Sequence, residues 1–405
     1  MLTTVRVLIS GASIAGPVLA YWLRHHGFDV TVVERSPQPR KSGGHAVDLF
    51  RPALEITEKM GLLDRVEERS TRITRLTITP EGSRRAIGID LTKIYRAASD
   101  RHAEIMRDDL SQIYWEASRD AVEYVFGDSI TAISPDCHVA FEHGADCRFD
   151  LVVGADGLHS TVRRLTFGDE SGHSTYIGAH LAVMSLPKDR ARSSESVGYA
   201  GVGRLAAVYT TGHLDDARAV FLFGGEAPLD YHHRDIDRQK RLLLAAFDGL
   251  HREVDEWLAH LDSTPAFYFD TVTQLQLQSW SRGRVTLVGD AGYCPGPAVG
   301  GSTSLAVYGA YVLAGELARA GGDHVRAFAE YERRLADPVR RSRAFARGAA
   351  KRLVPRSRAA VWGIPLAAKL FTMMPTALGS ALTERSPANR LHESMPVLDY
   401  TSSLR

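Results

Sequence analysis

Residues 5–35 read VRVLISGASIAGPVLAYWLRHHGFDVTVVER, and this stretch decides the fold. A β-branched and apolar run, Val5 to Ile9, feeds a glycine turn. A helical pattern then continues to His26, and a second apolar run, Val30 to Val33, ends on Glu34. This is a βαβ unit. Gly11 permits the tight turn off the strand, and Gly16 lacks the side chain that would hold the helix away from the sheet. The backbone amides from Ala12 through Ser13 and Ile14 to Ala15 point above the helix start, where the dipole favours a phosphate. Glu34 stands where an acid accepts hydrogen bonds from an adenosine ribose. The middle glycine of G-x-G-x-x-G is replaced by Ser13, which is small enough for close approach and brings a hydroxyl donor. Strands, helix and acid in register predict dinucleotide binding by Gly11, Ser13, Ile14, Ala15, Gly16 and Glu34.

The chain has 405 residues, 44% hydrophobic and 24% charged, with a net charge of +1. Such a chain suits a soluble protein of two or three domains and gives no electrostatic case for nucleic acid. Three cysteines, Cys137, Cys147 and Cys294, are too few and too irregular for a disulfide framework or a zinc site, so no metal and a cytoplasmic location are expected. With a strand beginning at Val5, no secretory leader is expected. The late apolar stretch Ala359 to Met374 is interrupted by Gly363, Pro365 and Lys369, so no membrane span is expected, nor any membrane partner.

After Glu34 comes the loop RSPQPRKSGGHAVDL, where Gly43 and Gly44 allow close backbone approach and Arg35, Arg40 and Lys41 supply charge. A helix is predicted from Pro52 to Met60. Alternation from Ile73 to Leu91 predicts a hairpin leaving the α/β pattern. A helix is predicted over Glu104 to Ser118, with Arg107 in its first turn. Asp150 to Arg164, DLVVGADGLHSTVRR, delivers Gly154, Asp156 and Gly157 at a strand end, either for a ligand above the sheet or as a capped turn. Residues 176 to 269 are mostly β around one helix, about Asp237 to Leu261. Alternating aromatics there, including Tyr209, Phe221 and Phe223, line either core or a pocket for a flat substrate. Arg284 to Leu317 returns to α/β: a strand ends on Gly289 and Asp290, a Pro/Gly loop follows, and a helix starts near Gly301. Three strand-end sites on one sheet are thereby expected. Val325 to Arg358 holds eleven Lys or Arg against three acids, a run that can grip an anion or membrane surface but better suits a solvated helix face bracing the domains. The fold class is α/β: a Rossmann-like domain with an inserted β-rich domain and C-terminal helices.

GASIAG with Glu34, GADG at 154 to 157 and GDAGYCPGPAVGG from Gly289, in that order, resemble the motifs of the flavoprotein aromatic hydroxylases, the para-hydroxybenzoate hydroxylase family of FAD-dependent group A monooxygenases. Within it, the chain is similar to the compact tetracycline-hydroxylating and natural-product-tailoring members. The resemblance implies an FAD-binding domain from 1–72, 98–172 and 281–324, a β-rich substrate-binding domain from 73–97 and 173–280, and a C-terminal helical segment 325–405. It implies FAD, with NADPH or NADH as a transient reductant. By the same resemblance Glu34 holds the ribose, Arg107 contacts FAD, and Asp290 holds the ribityl or phosphate region. Asp156 and Gly157 serve the cofactor side, and Pro297, Gly300 and Gly301 lie along the isoalloxazine with the helix start at Ser302 facing N1 and O2. Arg35, Lys41, Gly44 and Asp48 complete the cofactor candidates. His45 and Tyr293 are candidates beside the reacting groups, and Tyr209, Phe221, Phe223 and Pro295 beside the substrate.

The activity implied is hydroxylation of an aromatic or polycyclic substrate by O2 through a flavin C4a-hydroperoxide. Baeyer-Villiger insertion on the same scaffold, or a non-catalytic flavin- or ligand-sequestering protein, are the alternatives. The W-x-W-x-I-P element of a halogenase is absent. Departures from the family pattern are Ser13, Gly292 with Tyr293 in place of Ala-His, Ser302, and Gly309 where an acid is frequent.

Overall fold

The computed structural model describes residues 4–39, 43–169, 172–296, 301–374 and 387–400. Val7, Leu8 and Ile9 are fully buried, as a continuous apolar run must be when both faces of a parallel sheet are covered. Their strand, Arg6–Ser10, lies inside a six-stranded sheet. The order is Ser281–Arg282, Val285–Leu287, Leu151–Gly154, Arg6–Ser10, Asp29–Glu34, Glu123–Phe126, and only Ser281–Arg282 is antiparallel to its neighbour. Ser10 pairs in register with Gly154, and Gly154 with Leu287. The three glycine-bearing turns anticipated from sequence therefore leave the sheet side by side. Helices Ala15–His25 and Ser302–Arg319 pack together over the sheet, with Trp22 edge-on to Tyr311 at 4.9 Å.

A seven-stranded sheet forms the second layer, ordered Phe267–Leu275, Ser174–Pro187, Asp216–Phe223, Arg204–Tyr209, Glu195–Gly201, Arg75–Pro80, Ile87–Asp90. The early hairpin thus joins strands more than a hundred residues later, through parallel pairing with Glu195–Gly201. Strand alternation splits this sheet's apolar residues between two faces. On one face, Ala182, Met184, Phe221, Phe223 and Phe269 pack under helices Ile236–Phe247 and Arg252–Leu258. The other face meets the helix His324–Leu353 through Leu181, Val183 and Leu222 and, further along, Met106 through Tyr209.

Three local expectations change. Residues 102–106 form a strand paired antiparallel with Ala46–Phe50, so the helix expected from Glu104 starts only at Arg107. The alternation of His102, Glu104 and Met106 on one face against buried Ala103 and Ile105 explains it. The long helix expected over 237–261 is two helices, separated at Gly249 with φ +64°. Phe221 and Phe223 face Phe247, 5.0 and 5.6 Å between ring centres, so they belong to the helix-covered core and not to a substrate pocket.

Candidate cofactor and substrate site

The Arg6–Ser10 strand hands over to the Ala15–His25 helix without an N-terminal side-chain cap and with no acid in the first turn. Gly11 turns at φ +108°, with its amide on the carbonyl of Val33 at 2.8 Å. The first-turn amides are left to a ligand. Glu34, at the end of the neighbouring strand, accepts from the amides of Ala12 (2.9 Å) and Ser36 (2.9 Å), which fixes the carboxylate beside the turn. Arg107 reaches back so that Nη2 donates to Ser13 Oγ at 3.2 Å, while Ser111 Oγ donates to the Ser13 carbonyl at 2.9 Å. Ser13 in place of glycine is therefore tied to the Arg107–Ser118 helix. Arg35 is exposed.

The helix Ser302–Arg319 repeats this geometry. Gly301 is its N-cap at φ +89°, with no side-chain cap and no acid in the first turn. Ser342 Oγ lies beside Gly301, and it and Gln274 Oε1 and Nε and Nη2 of Arg343 are buried polar atoms without a hydrogen-bond partner among the described residues. Gln274 Nε2 also donates to the carbonyls of Pro295 and Arg343, each at 2.7 Å, which anchors the loop entering this region. Two uncapped helix starts above one sheet, the first following the strand Arg6–Ser10 and the second following Val285–Leu287 two strands away, with donors and acceptors that lack a partner among the described residues beside the second, fit a long anionic cofactor carrying a polar ring system. Lys41, Pro297 and Gly300 lie outside the described residues.

Electrostatics focus on Arg107. Burial pushes the Asp290 carboxyl up, and Arg107 pulls it back toward the ionised form. His45 is lowered to about 4 by burial and then by Arg107, so its ring is neutral at physiological pH. The His45 carbonyl accepts from the Arg107 amide at 3.1 Å. Gly44 N donates to Asp108 Oδ2 at 2.8 Å, and Arg218 of the second sheet donates to the Gly44 carbonyl at 3.3 Å. The 43–45 loop is thus pinned between the two layers. Across from it stand Tyr268 and Asp270, joined at 3.1 Å, with Asp270 3.3 Å from His159 Nε2 of the first domain. Sequence reasoning passed over this trio, although Asp270 is the single charge in FYFDTV, within an alternating apolar strand.

Several candidates play other parts. Asp156, expected on the cofactor side, caps the Thr161–Phe167 helix: it accepts from Ser160 Oγ and from the amides of Thr161 (2.8 Å) and Val162 (3.1 Å). Gly157 makes the turn at φ +80°. Tyr293 points into the core, where its hydroxyl meets Tyr331 at 3.1 Å, so it faces no substrate. Tyr209 accepts the Ala46 amide at 2.8 Å, on the sheet face toward the first domain. Asp48 contacts His102 Nε2 at 2.8 Å, and its carbonyl meets Ser304 Oγ at 3.4 Å in the first turn after Ser302.

Beside Asp48, a cavity of about 380 Å³ is lined by Glu67, Thr71, Tyr95, Arg96, His102 and Glu104 among others. Glu104 accepts from Thr71 Oγ1 and Tyr95 (3.2 Å), and its carboxyl is raised to about 7 by burial and by Asp48. A folded-state value above the ordinary 4.5 means the folded chain holds this proton more tightly than the unfolded chain. The associated stability is complete below about pH 4.5 and is lost as pH rises through 7. Glu104→Gln is expected to raise the melting temperature at pH 8 relative to its effect at pH 5 by a few degrees, about 1–2 kcal/mol. Thermal unfolding of both proteins at the two pH values checks this, and an equal effect at both would rule out the buried charge.

A parallel sheet with two uncapped helix starts above it and an acid, Glu34, fixed beside the first glycine turn has the form of a dinucleotide-binding fold. The "FAD binding domain" family matches residues 4–341. An uncharacterized protein of Mycobacterium tuberculosis is 41% identical over 330 residues, covering 80% of this chain and 88% of that protein. A flavin-dependent monooxygenase of Legionella longbeachae is 34% identical over 334 residues, covering 82% and 85%. The crystal structure of tetracycline destructase Tet(51) superposes with a TM-score of 0.80 at 30% identity, covering 98% of this chain and 100% of that one. Klebsiella pneumoniae HpxO, complexed with FAD and uric acid, shares the fold at a TM-score of 0.73 and 22% identity, covering 97% of each chain. The chain belongs to the FAD-dependent aromatic hydroxylase family, and it is an FAD-dependent monooxygenase.

Proposed function

We propose that this monooxygenase takes electrons from NADPH or NADH and uses O2 to hydroxylate an aromatic or polycyclic small molecule in a reducing, cytoplasmic compartment. The observation that carries the reading is the pair of uncapped helix starts above one parallel sheet, following the strands Arg6–Ser10 and Val285–Leu287 that flank Leu151–Gly154, with Arg107 and Asp290 in electrostatic contact beside them. Similarity to a tetracycline destructase over the whole fold supports the polycyclic substrate class. When bound, FAD supplies the two-electron chemistry and the activation of oxygen. The chain's own residues bind and orient. Ser13, Ile14 and Ala15 present amides to the pyrophosphate, Gly11 and Gly16 give the tight turn and the close helix–sheet approach that aim them, and Glu34 accepts from the ribose. Arg107 and Asp290 hold the middle of the cofactor, with Arg35, Lys41 and Gly44 closing over it. Pro297, Gly300, Gly301 and Ser302 border its ring, where the dipole of the Ser302–Arg319 helix stabilises negative charge by roughly 0.3–1 kcal/mol. Substrate would lie against the second sheet on the face of Tyr209 and Tyr268, near Pro295 and His45. His45, neutral above about pH 4, can exchange a hydrogen bond there without bringing a charge.

The test is anaerobic addition of NADPH or NADH to the FAD-loaded protein, then oxygen with a panel of phenols and polycyclic ketones. Bleaching of the flavin spectrum and a product heavier by one oxygen atom are expected, and the product's structure separates hydroxylation from ring insertion. Bound flavin that no panel member causes to be reduced would leave a sequestering protein as the better reading.

A further inference from the structure

The helix Arg358–Met373 lies over the second sheet with one face buried. Val361 and the partly buried Ala368 pack with Ile78, Ile89 and Ala200, and Lys93 Nζ donates to the Thr372 carbonyl at 2.5 Å. Its opposite face carries Trp362 (46% exposed), Leu366 (49%), Leu370 (54%) and Met373 (69%), followed by Met374 (37%). The spacing of four, four and three residues puts the first four on one stripe. Half of the ten exposed large hydrophobic residues among the described ones are in this short stretch, so the apolar surface is concentrated and not scattered.

The chain that carries the stripe bears charge of one sign, and Asp90 is the acid that lines a cavity with Lys369 and Met373. Between Asp337 and Glu384 the sequence contains no acid at all, while it holds Arg340, Arg341, Arg343, Arg347, Lys351, Arg352, Arg356, Arg358 and Lys369. Arg347, Lys351, Arg352, Arg356, Arg358 and Lys369 are exposed. None of these six forms an ion pair among the described residues. Arg358 precedes Trp362 by one turn, and Lys369 sits between Leu366 and Met373.

We propose that this face docks on an anionic bilayer surface, with Trp362, Leu366, Leu370 and Met373 entering the headgroup layer and the surrounding Lys and Arg residues meeting lipid phosphates. An apolar stripe with a cationic rim matches the layering of such a surface, hydrocarbon beneath negative headgroups. A second copy of the chain is the poorer occupant, because a two-fold contact would set two like-charged rims against each other. Insertion across the bilayer is a different matter: no helix among the described residues is long and apolar enough to span it. The proposal departs from the sequence-based expectation of no membrane partner and is independent of the substrate.

The experiment uses the full-length, FAD-loaded protein with vesicles of phosphatidylcholine, alone or with an equal amount of phosphatidylglycerol. Cosedimentation with the mixed vesicles is expected to exceed that with phosphatidylcholine alone by about tenfold or more and to fall as sodium chloride is raised. The difference spectrum between wild type and Trp362→Phe should show a blue shift of Trp362 emission on binding. Leu366→Ser with Leu370→Ser should lower partitioning by about tenfold, at unchanged flavin content and far-UV circular dichroism. The proposal is overturned by a lack of binding to mixed vesicles at low salt, or by binding that the double serine variant leaves intact. It is equally overturned if Trp362 is already shielded from acrylamide without vesicles, with sedimentation velocity then distinguishing a second copy from coverage by the chain itself.

Discussion

Gly11→Val is expected to leave the protein colourless on purification, with FAD affinity reduced by about a hundredfold or more. Gly11 sits at φ +108°, and a Cβ there would lie 2.5 Å from the Ala155 carbonyl oxygen, 2.8 Å from its carbon and 2.9 Å from Asp156 Cα. All three are backbone atoms of the neighbouring strand's turn, so no side chain can swing away to make room. The turn must open, and the amides from Ala12 to Ala15 move with it. Backbone strain adds about 1–3 kcal/mol, and each 1.4 kcal/mol of misplacement is a further tenfold in affinity. Gly157→Ala is the informative partner. It shares a positive φ of +80°, yet a Cβ there meets open space, so only conformational strain is incurred and the flavin loss should be far smaller. Absorbance at the flavin band per mole of protein and titration of the apoprotein with FAD give both values, with circular dichroism to confirm folding. Wild-type affinity in Gly11→Val would show that the first glycine turn is not where the pyrophosphate binds.

The first sheet was legible because its signals are local: apolar runs buried on both sides, each ended by a glycine turn. Ser10, Gly154 and Leu287 lie in register as three strand ends read separately along the chain. What escaped was direction. Alternation in the strand Asp216–Phe223 divides residues into two faces without saying which one a helix covers, and Phe221 and Phe223 proved to be under Phe247. Asp156 stands at the expected strand end, but its carboxylate is nearer to its own helix start than to the space above the sheet, and capping took it. The Tyr268, Asp270 and His159 trio needs contact between residues more than a hundred positions apart, for which no spacing rule exists. Glu104 looked helical from the run that follows it, and only pairing with Ala46–Phe50 reveals the strand 102–106.

The departures at Tyr293 and Gly309 find a joint explanation, and it yields the second large expected effect. A Cβ on Gly309, in the buried Ser302–Arg319 helix, would overlap the Tyr293 hydroxyl oxygen and stand 3.1 Å from both Tyr293 Cζ and Leu335 Cδ2. The tyrosine hydroxyl therefore occupies the volume that the absent side chain leaves, held there by Tyr331, whose own hydroxyl donates to the Leu287 carbonyl at 2.9 Å. Gly309→Ala is expected to destabilise by about 2–4 kcal/mol, although alanine alone favours a helix by about 1 kcal/mol. Tyr293→Phe removes the obstructing oxygen and should cost only about 1 kcal/mol, since Tyr331 keeps the Leu287 carbonyl. In the Tyr293→Phe background, Gly309→Ala should therefore cost at least 1 kcal/mol less than in wild type, a favourable coupling measurable by urea unfolding of the four proteins. Tyr293 lies three residues after Asp290, at the end of the same short helix Asp290–Tyr293, so its displacement also moves the carboxylate proposed to hold the cofactor. Flavin affinity should accordingly fall in Gly309→Ala and recover in the double variant, whereas strictly additive stabilities and unchanged flavin binding would show that the two positions fit their surroundings independently.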